Sequence, residues 1–91
     1  MKQIEVRNMV SWTSGREIAN QFLVFTDEGL CFQSYDTVIA FKPKKGKIQL
    51  DKYSWDYSTT TGKYRNQFLG EKIKETRKKI EDGTYKLVDL N

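Results

Sequence analysis

Between residues 20 and 51 the chain repeats one pattern, a short apolar or β-branched run closed by turn residues, and that pattern calls for a sheet. Phe22 to Phe25 is apolar on both faces and ends at Asp27-Glu28-Gly29, where glycine suits a hairpin. Leu30 to Tyr35 runs back, Asp36-Thr37 interrupts it, and Val38 to Phe41 forms a third run. Pro43 and Gly46 then turn the chain within a lysine-rich segment before Ile48 and Leu50 alternate with Gln49 and Asp51. Four antiparallel strands in a meander are expected, the first starting as early as Glu17 and the first two shielded on both faces. Met1 to Asn8 alternates Ile4 and Val6 against Glu5 and Arg7, as a half-buried edge strand does. Tyr85 to Val88 reads as a short last strand, followed by a fraying Asp89-Leu90-Asn91 end.

The period changes at Ser58. Ser58 to Thr61 offers hydroxyls for capping exposed backbone N–H groups, and the residues that follow to Asp82 are good helix formers. At roughly 100° per residue, Tyr64 and Phe68 share one stripe, whereas Leu69, Ile73, Thr76 and Ile80 form another about 100° further round. Gly70 lies between the two groups, so two pieces over 61–69 and 71–82 are expected rather than one straight helix. The fold class is therefore α+β: an antiparallel four- to five-stranded sheet with a bent or broken C-terminal helix packed on one face. With 91 residues there is room for one domain, 1–91.

Several chemistries are excluded by residue type. There is no histidine, which removes His-based acid–base pairs, Ser-His triads and the usual zinc sites. The single cysteine, Cys31, sits between Leu30 and Phe32 and reads as a buried thiol. Ser58-Thr-Thr-Thr-Gly-Lys63 lacks the first glycine and the final hydroxyl of a phosphate-binding loop. No catalytic residue, cofactor or metal is expected. No apolar run approaches the ~20 residues of a membrane span, so no membrane partner is expected and a reducing cytoplasm is the expected compartment.

Two surfaces remain. Residues Tyr53 to Leu69 combine aromatics, hydroxyls and cations; Trp55, Phe68 and Leu69 are expected in the core, and Tyr57, Lys63, Tyr64 and Arg65 on a partner-binding surface. Trp12, in the turn-rich Ser11 to Gly15, is expected to cap one end of the core. The second surface is basic, in a chain with sixteen Lys/Arg against twelve Asp/Glu. Lys42, Lys44, Lys45 and Lys47 of the turn, with Lys72, Lys78 and Lys79 of the helix, would track phosphates if brought together, with Tyr57 and Tyr64 available for stacking. The favoured reading of the turn lysines is that they only keep a sheet edge solvated and unpaired, and Glu75 is placed to pair with Lys79 on an exposed helix face.

Gly15-Arg16, Asn20-Gln-Phe22, Phe32-Gln-Ser-Tyr35 and Ile39-Ala-Phe41, followed by Leu50-Asp-Lys-Tyr53 and Trp55 to Leu69, form a pattern. It resembles a family of small proteins of unknown function encoded by bacteriophages and prophages, with likeness running from Trp12 to Leu69. Position 64, often histidine in that family, is tyrosine here, so no imidazole role carries over. The resemblance implies a phage accessory protein acting in the bacterial cytoplasm. With the small size and the lack of a catalytic constellation, it leads to the expectation of a non-catalytic protein that binds a host or phage protein, as an inhibitor of a host defence or regulatory factor. The alternative is a nucleic-acid-binding module using the lysine turn and cationic helix. A small enzyme working through hydroxyls and carboxylates ranks last. An edge strand would also be free to pair across a homodimer.

Overall fold

A computed structural model describes residues 2–91; Met1, where the expected first strand begins, lies outside the described residues. Strands β1 (Gln3–Val10), β2 (Glu17–Thr26), β3 (Gly29–Ser34), β4 (Thr37–Pro43) and β5 (Gln49–Asp51) precede helices α1 (Thr59–Leu69) and α2 (Ile73–Glu81), and β6 (Lys86–Val88) closes the order. All six strands join one sheet in chain order. The first five are antiparallel neighbours, as the turn spacing requires. β6 instead runs parallel to β5. The chain leaves β5 through two helices on one face and comes back in the same direction, the usual consequence of a helical crossover. The α+β class stands, and the sheet is a mixed one of six strands rather than an antiparallel one of four or five.

The turns act through particular side chains. Thr26 Oγ1 accepts from the N–H groups of Glu28 (3.2 Å) and Gly29 (3.1 Å) and donates to the Gly29 carbonyl (2.9 Å), closing the β2–β3 hairpin. Gly29 has φ 154°, and a Cβ there would fall 2.2 Å from the Lys42 carbonyl, so the β4 backbone crosses where only glycine fits. β3 and β4 shift register between the Phe32–Ala40 and Gln33–Val38 pairs, leaving Ile39 as an extra residue. Ile39 and Ala40 are both fully buried as a result.

The helix-side core joins Met9, Phe32, Ile39, Ala40 and Leu50 of the sheet to Phe68 and Tyr85. The Phe32 and Phe68 rings stack at 5.7 Å between centroids. Ser58 caps α1 by accepting from Thr61 N–H (3.1 Å), and Thr61 Oγ1 meets Ser34 Oγ at 2.9 Å beneath the helix. α1 ends at Gly70 with φ 71°, where the expected break falls. The opposite sheet face buries Val24, Cys31 and Phe41, with Phe22, Val38 and Leu90 packed against them. The C-terminal residues do not fray. The Asn91 amide accepts from Val38 N–H (2.8 Å) and donates to its carbonyl (3.0 Å), and Leu90 N–H donates to Asp51 Oδ1 (2.8 Å).

Glu71, between the helices, is buried rather than part of a solvated face. Its carboxylate accepts from Lys79 Nζ (2.6 Å), Tyr85 OH (2.7 Å) and Thr76 Oγ1 (2.7 Å). Lys79 therefore pairs with Glu71, not with Glu75 as helix spacing suggests. Burial raises the pKa of Glu71, and the bonds from Lys79, Thr76 and Tyr85 outweigh that, leaving it below the ordinary range. Tyr85 is pushed up to about 12 by burial and by Glu71.

Tyr85→Phe removes one bond to a buried carboxylate and is expected to cost about 2 kcal/mol in urea unfolding, since bonds to charged groups contribute at about that level. Wild-type stability is expected to fall as pH drops through the lowered Glu71 and Asp51 values, because the unfolded chain then binds more protons. It is expected to fall again above pH ~10, where unfolded tyrosine ionises and Tyr85 does not. Tyr85→Phe should abolish the alkaline limb contributed by this residue; an unchanged limb contradicts its assignment.

Candidate functional site

The segment between β5 and α1 is held by two buried charges. Asp51 accepts from Ser54 Oγ (2.6 Å), Tyr53 N–H (3.3 Å) and Leu90 N–H (2.8 Å). Burial raises its pKa, and the bonds from Ser54, Leu90, Asn91 and Tyr53 overcome that and hold it low. Arg65, on α1, donates to the Trp55 carbonyl (2.7 Å), Asp56 Oδ1 (3.3 Å) and Asn66 Oδ1 (2.9 Å). Its guanidinium carbon lies 5.4 Å from the Trp55 ring centroid. With 1% of its surface exposed, Arg65 is a structural tie, which corrects the expectation that it faces outward. Helix periodicity alone placed it on the polar side; the loop folding back over α1 covers it.

The other three residues of that set separate. Tyr57 (52% exposed) and Lys63 stand at the surface and border a shallow depression at the start of α1, which Arg65 also lines. Arg77 reaches the same depression and pairs with Asp56 at 3.0 Å. Tyr64 is half-buried and packs on the helix-side core. Trp55, Phe68 and Leu69 pack in or against that core as expected.

The lysines also divide. Lys44, Lys45 and Lys47 are exposed on the β4–β5 turn, and Lys72 and Lys78 are exposed at α2. Lys47 meets the end of α2, lining a depression with Ile80, Gly83 and Lys86. Lys79 is committed to Glu71. Lys42 is not a turn-tip cation: it is half-buried, donates to the Phe68 carbonyl (2.5 Å) and sits 4.4 Å from the Phe68 ring centroid. Burial draws its pKa down, and Glu71 partly opposes this.

Lys42 leads to a groove that sequence patterning does not reveal. β1 and the first two residues beyond it form one wall, and Leu23, Phe25, Leu30 and Phe68 form an apolar floor. The volume is about 530 Å3, in the range of ligand-binding clefts. Trp12 stands at its border with 70% of its surface exposed, so it does not cap the core. The loop bearing it is fixed: Ser11 N–H bonds the Arg16 carbonyl (2.9 Å), and Gly15 N–H bonds the Ser11 carbonyl (3.0 Å). Gln67 of α1 clamps the near end, donating to the Val10 carbonyl (2.6 Å) and accepting from Trp12 N–H (3.3 Å). The groove draws on β1, β2, β3, β4 and α1, so only the strand register brings its residues together. The one sequence signal for it was an indole in a turn.

Among the described residues, no three His, Cys, Asp or Glu side chains gather as a metal site, and no helix is long and apolar enough to cross a membrane. The model of a family of unknown function, DUF8033, matches residues 2–83, and the chain belongs to that family. No curated protein and no solved structure matches it.

Gln67→Ala is expected to release the Trp12 loop without unfolding the chain. Amide exchange at residues 11–15 should accelerate at least tenfold, while global stability falls by no more than about 1.5 kcal/mol, the scale of neutral hydrogen bonds. Unchanged exchange there would show that the loop is held by something else.

Proposed function

We propose that this member of the DUF8033 family is a non-catalytic binding protein whose partner is another protein, engaged across the groove beside β1. The observation that carries this reading is Trp12: a large indole, 70% exposed, on a loop pinned by α1 at the border of an apolar groove. Tryptophan held rigidly at a surface loses little conformational freedom on binding and is among the side chains that dominate interface energies. From β1, exposed Val10 lines the groove, and this outer strand pairs only with β2 among the described residues; exposed Val6 lies opposite Val24 on the other sheet face. An exposed indole beside an apolar groove is the kind of surface that marks interaction sites. Tyr57 and Lys63 supply a second, polar contact region at the start of α1.

The resemblance to phage-encoded proteins makes a host or phage protein the partner class, and obstruction of a host defence or regulatory factor the proposed outcome. The nucleic-acid alternative has weaker support. Lys42 and Lys79 are engaged within the fold and Tyr64 is packed on the core, which takes two cations and one ring from the set suited to a strand of nucleic acid, although Lys47 reaches the end of α2.

The test is capture from nuclease-treated extract of a phage-infected bacterial host. The expected result is one protein retained in near-stoichiometric amount by the wild-type chain and reduced at least tenfold by Trp12→Ala, the loss that removal of a hot-spot side chain produces. A triple Lys44→Ala, Lys45→Ala, Lys47→Ala variant should retain it equally well. Retention that nuclease abolishes, or that falls steeply with salt and with the triple variant, would instead identify a nucleic-acid binder.

A further inference from the structure

The charges at the groove are one-sided. Arg7 and Lys42 line it, and no carboxylate does. Arg7 is paired with the exposed Glu5 and lies 5.6 Å from the centre of the Phe25 ring. Lys42 has no carboxylate within ion-pair distance among the described residues; Glu71 acts on it only from further away. A lysine ammonium has three N–H donors, and Lys42 places one on the Phe68 carbonyl. It lies opposite Leu30 in the β3–β4 register, so a half-desolvated cation is fixed beside the apolar floor. A partly buried cation without a counter-ion is unfavourable in the free protein and gains when an anion arrives, because the surrounding dielectric is low. The groove also runs beside an outer strand, an arrangement that favours an extended chain as occupant.

Resting on the protein-binding reading above, we infer that the groove takes an extended acidic–apolar segment of the partner. A large apolar side chain enters over Leu23, Leu30 and Phe68, and a neighbouring Asp or Glu carboxylate meets Lys42. Trp12 covers the apolar residue from the loop side. Arg7, whose charge is offset by Glu5, lines the groove without adding a second uncompensated cation. Lys42 is thus a specificity residue, whereas Trp12 contributes binding to acidic and neutral segments alike.

The experiment pans a yeast-displayed random heptapeptide library against the folded chain and maps the selected peptides by NMR shift changes. Selected peptides are expected to carry Asp or Glu within two residues of Phe, Leu, Ile or Trp, and to shift resonances of Leu23, Leu30 and Phe68. Changing their acidic residues to Asn or Gln should weaken binding at least fivefold. Lys42→Gln should remove that fivefold difference and leave the apolar preference, and Lys42→Arg should keep it. Arg7→Gln, at an exposed and ion-paired position, should leave the difference unchanged, and its loss there would overturn the assignment to Lys42. Three results overturn the inference: no convergent peptide, convergent peptides without acidic preference, or shifts confined to residues outside the groove. If a partner is still captured through Trp12 while peptides show no acidic preference, the protein-binding reading stands and this inference falls.

Discussion

The structure depends on the carboxylate of Glu71, whose side chain is 3% exposed yet remains charged. A buried carboxylate is strongly unfavourable unless its lone pairs are filled, and Lys79, Tyr85 and Thr76 fill them from three directions. Those three bonds join the α1–α2 turn to the middle and end of α2 and to the start of β6. Removing any one leaves a charge in low dielectric, so the segments are coupled rather than independently attached. This gives the parallel β6 its place: Tyr85, bonded to Glu71, delivers the strand to the edge of β5.

Two further buried charges repeat the arrangement elsewhere. Arg65 fastens the loop after β5 to α1, and Asp51 fastens the turn at Ser54 and the C-terminal residues to β5. A small sheet with helices on one face has a limited apolar core, and here its irregular segments are held by hydrogen-bonded buried ions, of which Arg65 keeps one buried nitrogen, Nε, without a partner. The groove is a product of the same economy. α1 ends at Gly70 with Phe68 and Gln67 facing β1, so the sheet beyond that end stays uncovered and its residues form a floor.

The sheet was legible because apolar alternation and turn residues act locally. Gly29, Pro43 and Gly46 punctuate the meander where the strands turn, and Gly70 ends α1 where two apolar stripes part. Other features depend on tertiary contact. Lys79 of α2 bonds Glu71, eight positions away in the linker before that helix, beyond the i, i+4 spacing that favours Glu75. Arg65 looks like a surface cation until the loop at Trp55 and Asp56 covers it. Lys42 belongs to a lysine-rich turn by sequence but to β4 by structure, where its side chain reaches Phe68. The groove was illegible for the same reason: its floor needs the registers of three strand pairs and the end of a helix.

The most direct test of this account is a pH titration of the side-chain carboxyl carbons of Glu71 and Asp51 by NMR in the folded chain. If satisfied buried ions hold the irregular segments, both groups should titrate below the ordinary values of ~4.3 for glutamate and ~3.9 for aspartate. They should also remain charged until the fold itself is lost. Titration of Glu71 at or above the ordinary value would mean that burial outweighs its three hydrogen bonds, and would contradict the account.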